Sequence, residues 1–266
     1  MPSERPVSDS RLAIDASDPA FDEAIWQPQY PSRFFEVLRT FGVGVRHQRI
    51  VDLGTGIGRL AIQFSRQGSH VIGVDRSANL IRKARQQSVA CELDAAFHIA
   101  SPHETGLPAR RFDAAICGER AGDLDGHRLR REIDRLLKPG GLIVDHGLRW
   151  LPQQDPVAAA VEDLLLRFHC DWARAGWDGH TPLLPEADQD DFALVATVVF
   201  DEPIPFTRES WRGHVRTREG IRDQLTDEQL RLLDAEHETV LQSLTGETFT
   251  VLHRVFARLL RPLDVE

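Results

Sequence analysis

Val51-Asp52-Leu53-Gly54-Thr55-Gly56-Ile57-Gly58-Arg59-Leu60, residues 51–60, decides the fold. β-formers run straight into a loop with glycine at every second position. Leu60, Ile62 and Phe64 then follow at helical spacing up to Gly68. The pattern predicts a strand, a tight turn and a helix, with a backbone that approaches a ligand closely. A phosphate-cradling P-loop needs G-x-x-x-x-G-K-[ST], but Arg59 follows Gly58 here. A dinucleotide fingerprint needs G-x-G-x-x-G, and this loop reads G-x-G-x-G.

Two acids sharpen the reading. Asp52 stands two residues before the first glycine, and the next strand, His70–Asp75, ends in Asp75, 23 residues after Asp52. An acid at that strand end is placed to accept both hydroxyls of a ribose. The Asp52 carboxylate would repel a pyrophosphate and attract a cationic amino group, which suits a sulfonium nucleoside with an amino-acid tail.

Outward from the loop, strands and helices alternate. Phe34, Phe35, Val37, Leu38 and Phe41 predict a helix that stops at Gly42 and Gly44. Downstream, Ser77 caps a helix to Gln87, Ala95–Ala100 and Phe112–Gly118 are strands, and Arg128–Leu137 is a helix. Lys138-Pro139-Gly140-Gly141 reads as a turn before the strand Leu142–His146. Beyond residue 150 the expectation is a helix over Pro156–Trp172, a loop over Ala173–Asp191 and a β-rich run Phe192–Phe200. A helix over Thr226–Leu244 and a last strand over Thr248–Leu260 complete it. Repeated β-α-β units imply an α/β fold: a Rossmann-like, doubly wound, mostly parallel seven-stranded sheet with helical insertions forming a lid. The expected organisation is a flexible segment 1–20 and a single domain 21–266. Within it lie a cofactor-binding core at 45–150, lid insertions at 20–44 and 151–245, and a final strand at 248–260.

A chain of 266 residues with 41% hydrophobic and 27% charged residues is of ordinary globular composition. Its net charge of -9 speaks against backbone-led nucleic-acid binding. Cys91, Cys117 and Cys170 are widely spaced, so neither a metal site nor a disulfide framework is expected. The N-terminus has no apolar core, and no apolar run reaches a membrane-spanning length. A cytoplasmic monomer or homodimer with a small-molecule substrate, no nucleic acid and no membrane is the expectation.

Four blocks in register carry a resemblance: V-D-L-G-T-G-I-G, V-I-G-V-D-R-S, E-T-G-L-P-A-R-R-F-D-A-A-I-C and E-I-D-R-L-L-K-P-G-G-L-I-V, all within residues 50–146. The chain resembles the class I S-adenosylmethionine-dependent methyltransferases, in their small-molecule, type 11-like branch. Tyr30-Pro31 upstream and the PFTRESWRGHVRTREG segment downstream resemble that branch as well. The resemblance implies S-adenosylmethionine as cofactor and S-adenosylhomocysteine as product. It places Asp52, Gly54, Gly56 and Gly118 along the methionine part, Asp75 at the ribose, and Arg76 beside the adenine, with Thr55 as a further cofactor-binding residue. Ser101 falls where the family usually has an acid for the adenine amino group.

Methyl transfer from a sulfonium is an in-line displacement, and a base is needed only when the acceptor must lose a proton. His146 and Glu119, at strand ends, are the titratable candidates, with a hydrogen-bonded structural role for His146 as the other reading. Where relatives carry His-Trp after the fourth strand, this chain has Gly122-Asp123. Tyr30, Trp172, Trp211, Arg212 and Arg216 are candidate acceptor contacts, the arginines as a clamp for an acidic group or else as a solvated face paired with Glu209 and Glu219. The methylated atom, oxygen, nitrogen or carbon, stays open. The alternatives are a catalytically inactive cofactor-binding partner protein and a nicotinamide-dependent reductase. The reductase would need Tyr-x-x-x-Lys, and Phe34 follows Tyr30 at that spacing.

Overall fold

A computed structural model of the protein describes residues 19–93, 95–118, 126–168, 177–184, 192–218, 221 and 224–263. Seven strands form one sheet: Arg49–Leu53 (β1), His70–Asp75 (β2), Ala96–Ile99 (β3), Phe112–Gly118 (β4), Leu137–Trp150 (β5), Phe192–Thr207 (β6) and Thr248–Pro262 (β7). Their order is β3-β2-β1-β4-β5-β7-β6. The first five pair in parallel, and β7 lies antiparallel between β5 and β6. The helices are Pro19–Trp26 (α1), Ser32–Thr40 (α2), Arg59–Arg66 (α3), Ala78–Ala90 (α4), Gly126–Leu136 (α5), Pro156–Arg167 (α6), Arg208–Arg216 (α7) and Asp227–Leu244 (α8). This is the α/β, mostly parallel sheet that the alternating pattern predicts.

The central strands are apolar on both faces because helices cover both. On one side Ile50, Val71, Ile116 and Val144 meet Phe34 and Phe35 of α2, Phe64 of α3 and Ile81 of α4. On the other, Val51, Leu53, Val74 and Ile143 meet Leu129, Ile133 and Leu136 of α5. A further core, built on Trp150, Val161, Leu165, Trp211, Leu233 and Leu241, joins the far end of β5 to α6, α7 and α8.

Three local expectations are corrected. The turn at Lys138–Gly141 is a bulged part of β5, since the register passes from Phe112↔Leu137 to Ala114↔Leu142 and Gly140 takes φ +78. β5 continues past His146 to Trp150 because β7 pairs with it residue by residue over Ile143–Trp150. β6 also runs on from Phe200 to Thr207 through Pro203 and Pro205. An edge strand tolerates prolines at alternate positions, where the N–H groups face away from the only neighbour. Arg212 and Arg216, candidate acceptor contacts in the sequence, stand on the helix α7, which is opened by a capping box between Thr207 and Ser210. Of the helix predicted over Pro156–Trp172, Pro156–Arg167 is described and capped by Asp155, while 169–176 lie outside the described residues.

Candidate functional site

The glycine loop is laced to β2 by Gly54 N–H and Thr55 N–H, which donate to the Val74 carbonyl at 2.8 and 3.0 Å. Gly54 and Gly56 take φ +75 and +56, and the space where a Cβ would stand is open for at least 4 Å at both. Gly58 differs: a Cβ there would stand 2.8 Å from the Phe97 ring, so its job is packing. The two glycines assigned to a ligand therefore face room, and the third faces the core.

Asp75 closes β2 with its carboxylate already engaged, accepting from Gly56 N–H at 3.0 Å and Ser77 N–H at 2.9 Å. Both bonds hold the acid against the loop and leave lone pairs for further donors. Asp52 is buried and accepts from the Thr55 hydroxyl at 2.6 Å. Burial pushes its carboxyl up from 3.8 to about 6, against the Thr55 and Ala61 hydrogen bonds. A cationic group arriving beside it would offset that penalty.

Arg76 follows Asp75 and is exposed. The segment after β3 is tied to β2 by Ala100 N–H donating to the Asp75 carbonyl at 3.0 Å. There Ser101 bridges to Glu104, and its hydroxyl accepts from His103 N–H at 3.3 Å. Sequence reading missed what braces this segment. Glu132 of α5 accepts from Thr105 N–H at 2.9 Å and from its hydroxyl, and Arg135 reaches the Leu107 carbonyl at 2.7 Å. Burial alone would raise Glu132, yet the Arg135 and Thr105 bonds hold its carboxyl below the ordinary value. Nothing in a lone Glu-x-x-Arg on a helix face signals a brace 27 residues away.

At the ends of β4 and β5, Gly118 and His146 are cross-strand partners. A Cβ added at Gly118 would stand 3.2 Å from His146 Cε1, so the absent side chain makes room for the imidazole. The Tyr30 hydroxyl is 2.7 Å from His146 Nδ1, and the two rings meet edge to face at 5.1 Å. Burial lowers His146 from 6.5 to about 4, so it is neutral at physiological pH. The sequence named both residues and gave no sign that they touch.

α1 roofs this end of the sheet through Arg59, the first residue of α3. Its guanidinium donates to the carbonyls of Ala24, Ile25 and Gln27. An arginine directly behind a glycine loop was the available signal.

Three acceptor-contact expectations need correction. Trp211 is fully buried in the core of α6, α7 and α8 beside Trp150 and Phe206, so it roofs no open pocket. Arg212 binds Asp234 at 2.9 Å and Glu238 at 3.0 Å, and Arg216 reaches Asp234 at 3.4 Å. These arginines clip α7 to α8 through acids of this chain, Asp234 and Glu238, while Glu219 lies outside the described residues. Glu119 and Trp172 lie outside the described residues. Among the described residues no group of three or more His, Cys, Asp or Glu is placed to hold a metal, and no helix is long and apolar enough to cross a membrane.

Residues 50–141 match the family model described as a methyltransferase domain. A ubiquinone biosynthesis O-methyltransferase from Alkalilimnicola ehrlichii is 29% identical over 153 residues, 53% of this chain and 62% of the relative. The chain thus aligns with under two thirds of that relative's length. Among solved structures, a protein described as a type II methyltransferase from Anaeromyxobacter dehalogenans superposes with a TM-score of 0.55 at 20% identity, covering 89% of this chain and 97% of that one. The phosphoethanolamine N-methyltransferase 2 of Haemonchus contortus, solved with phosphomonomethylethanolamine and S-adenosylhomocysteine, gives 0.50 at 18%, covering 93% and 58%.

Proposed function

We propose, from the premise that the core of this chain belongs to the class I S-adenosylmethionine-dependent methyltransferases, that the protein methylates a small-molecule acceptor with S-adenosylmethionine. The observation that carries the reading is Asp75, held by Gly56 N–H and Ser77 N–H at the mouth of an open glycine loop. Its remaining lone pairs suit two ribose hydroxyls. The buried Asp52, paired with Thr55, suits the ammonium of an amino-acid tail. Gly54, Gly56 and Gly118 give backbone access to the methionine part, with Arg76 and Ser101 at the adenine side. The cofactor supplies a methyl group activated on a positively charged sulfur.

The chain's own task is to orient the acceptor, exclude water and, where needed, take a proton. His146 does the last. The Tyr30 hydroxyl engages Nδ1, so Nε2 is the ring nitrogen left to take a proton in the tautomer that carries its hydrogen on Nδ1. Its low proton affinity keeps a second positive charge away from a sulfonium. α1, its flanking residues and the elements beyond residue 150 form the acceptor lid, since the strand ends are occupied by cofactor contacts.

Calorimetry tests this reading. S-adenosylhomocysteine should bind with a Kd far below that of NAD or NADP. Tight dinucleotide binding without S-adenosylhomocysteine binding would overturn it.

A further inference from the structure

Phe21 and Ala24 of α1 pack with Ile57 and Leu80 in a small apolar cluster of their own, apart from the three larger cores. Ile57 stands between Gly56 and Gly58 of the glycine loop. Leu80 lies in the first turn of α4, where its N–H donates to the Ser77 hydroxyl. These are the two walls beside Asp75, whose carboxylate accepts from Gly56 N–H on one and from Ser77 N–H on the other. α1 therefore bridges the loop and the turn that Asp75 ties together. A nucleoside whose ribose engages Asp75 sits between those same walls.

The other end of α1 is held by Arg59. The helix has no basic residue in its last turn, so its negative end draws a cation from elsewhere. Arg59 supplies it, donating to the carbonyls of Ala24 at 3.2 Å, Ile25 at 2.7 Å and Gln27. Burial lowers the proton affinity of this guanidinium, and among the described residues carbonyls, not a carboxylate, answer its charge. Water can replace a donor at helix-end carbonyls, so the grip is reversible. Arg59 opens α3 directly behind the glycine loop, which places the latch on the element that would carry the cofactor.

The chain after α1 is fixed. The Tyr30 hydroxyl meets His146, and Phe34 and Phe35 of α2 are buried in the main core. Residues 27–29 between them lie outside any helix or strand, and this link is where α1 can turn. Lifting α1 about it parts Phe21 from Ile57 and Leu80 and frees the three carbonyls from Arg59. It leaves α2 and the sheet in place.

We infer, resting on the methyltransferase reading above, that α1 is the gate through which the nucleoside cofactor enters and leaves, and that Arg59 is the positioning residue that latches it shut. The test follows S-adenosylhomocysteine binding to the full chain by stopped-flow fluorescence, with Trp26 of α1 among the reporters. In Arg59→Ala and in Phe21→Ala, association and dissociation rate constants should both rise about tenfold, the worth of one or two hydrogen bonds, while Kd changes less than either rate. Arg59→Lys, with one ammonium for three carbonyls, should fall between. A gate sets both rates through its open fraction, whereas a residue that only supports the fold or touches the ligand raises dissociation alone. On the unaltered protein, saturating S-adenosylhomocysteine should slow amide hydrogen exchange in residues 20–27 about tenfold and leave α8 as it was, a readout that needs no variant to fold. Unchanged rates in both variants, faster dissociation at unchanged association, or exchange in α1 indifferent to S-adenosylhomocysteine would overturn the gate. Absent S-adenosylhomocysteine binding to the unaltered protein overturns the methyltransferase reading itself, whereas intact binding with any of those three results overturns only the gate.

Discussion

The Tyr30 hydroxyl and His146 Nδ1 lie 2.7 Å apart, joining the segment before α2 to the end of β5 across 116 residues of chain. The bond engages Nδ1 and leaves Nε2 as the ring nitrogen to take a proton. Tyr30→Phe should lower kcat about tenfold and leave S-adenosylhomocysteine affinity unchanged. His146→Gln should cost about a hundredfold or more, the usual worth of a positioned base. Steady-state kinetics on any acceptor the unaltered protein methylates decides the matter. Full turnover in the His146 variant would reduce the pair to a structural contact.

Asp75 makes a sharper demand on binding. It already accepts from Gly56 N–H and Ser77 N–H, so its removal disorders the loop as well as taking away the ribose acceptor. Asp75→Ala should weaken S-adenosylhomocysteine binding by roughly 1.5–3 kcal/mol, tenfold to over a hundredfold in Kd. Isothermal calorimetry on a variant with unchanged circular dichroism checks it. Unaltered affinity would place the ribose elsewhere.

The proposed cofactor side of the site could be read from the sequence because its signals are local. Asp52, the alternating glycines and Asp75 lie within 24 residues, and the strand–turn–helix that unites them is written in the same stretch. The acceptor side could not, because its contacts are long-range. Trp211 was read as an acceptor contact because aromatic residues on an insertion suit one. Its burial depends on β5 continuing to Trp150, and only the pairing of β5 with β7 reveals that. Arg212 and Arg216 looked available because their partners Asp234 and Glu238 sit on α8, about twenty residues away and not on their own helix. Charge pairing between helices has no fixed sequence spacing.

Acid should unfold this protein through its buried histidines. His146 falls from 6.5 to about 4, His237 and His253 fall to about 3, and His214 lies well below its ordinary value, all by burial. The unfolded chain takes up these protons first as pH drops. Stability held above about pH 6.5 is therefore lost progressively down to about pH 4 and beyond, at roughly 1.4 kcal/mol per pH unit for each histidine. Asp52 works in the opposite sense, since its carboxyl is raised to about 6 and gains relief as pH falls through that value. Four groups outweigh one. Thermal melts from pH 7 to 4.5 should show Tm falling, and His237→Gln should flatten that fall. An unchanged slope in the variant would mean that His237 does not titrate as its burial requires.

The hold of α7 on α1 supplies the last prediction. A glycine inside a helix costs about 1 kcal/mol against alanine, so Gly213 in the middle of α7 needs a reason. A Cβ there would lie 2.3 Å from the Trp26 ring, and Arg216 sits 5.5 Å from the centre of the same ring. Trp26 is thus wedged against the one turn of α7 that offers no side chain, while Arg59 grips the end of α1 from below. Gly213→Ala should gain helix propensity yet destabilise the protein by about 1–3 kcal/mol, because the indole cannot yield without lifting α1. If α1 covers the acceptor, the same change should raise the acceptor KM more than it raises the Kd for S-adenosylhomocysteine. Denaturant melts and Trp26-sensitive fluorescence, compared with Trp26→Phe, measure the displacement. A Gly213→Ala protein as stable as the parent, with α1 no more accessible to protease, would show that this contact does not hold the roof in place.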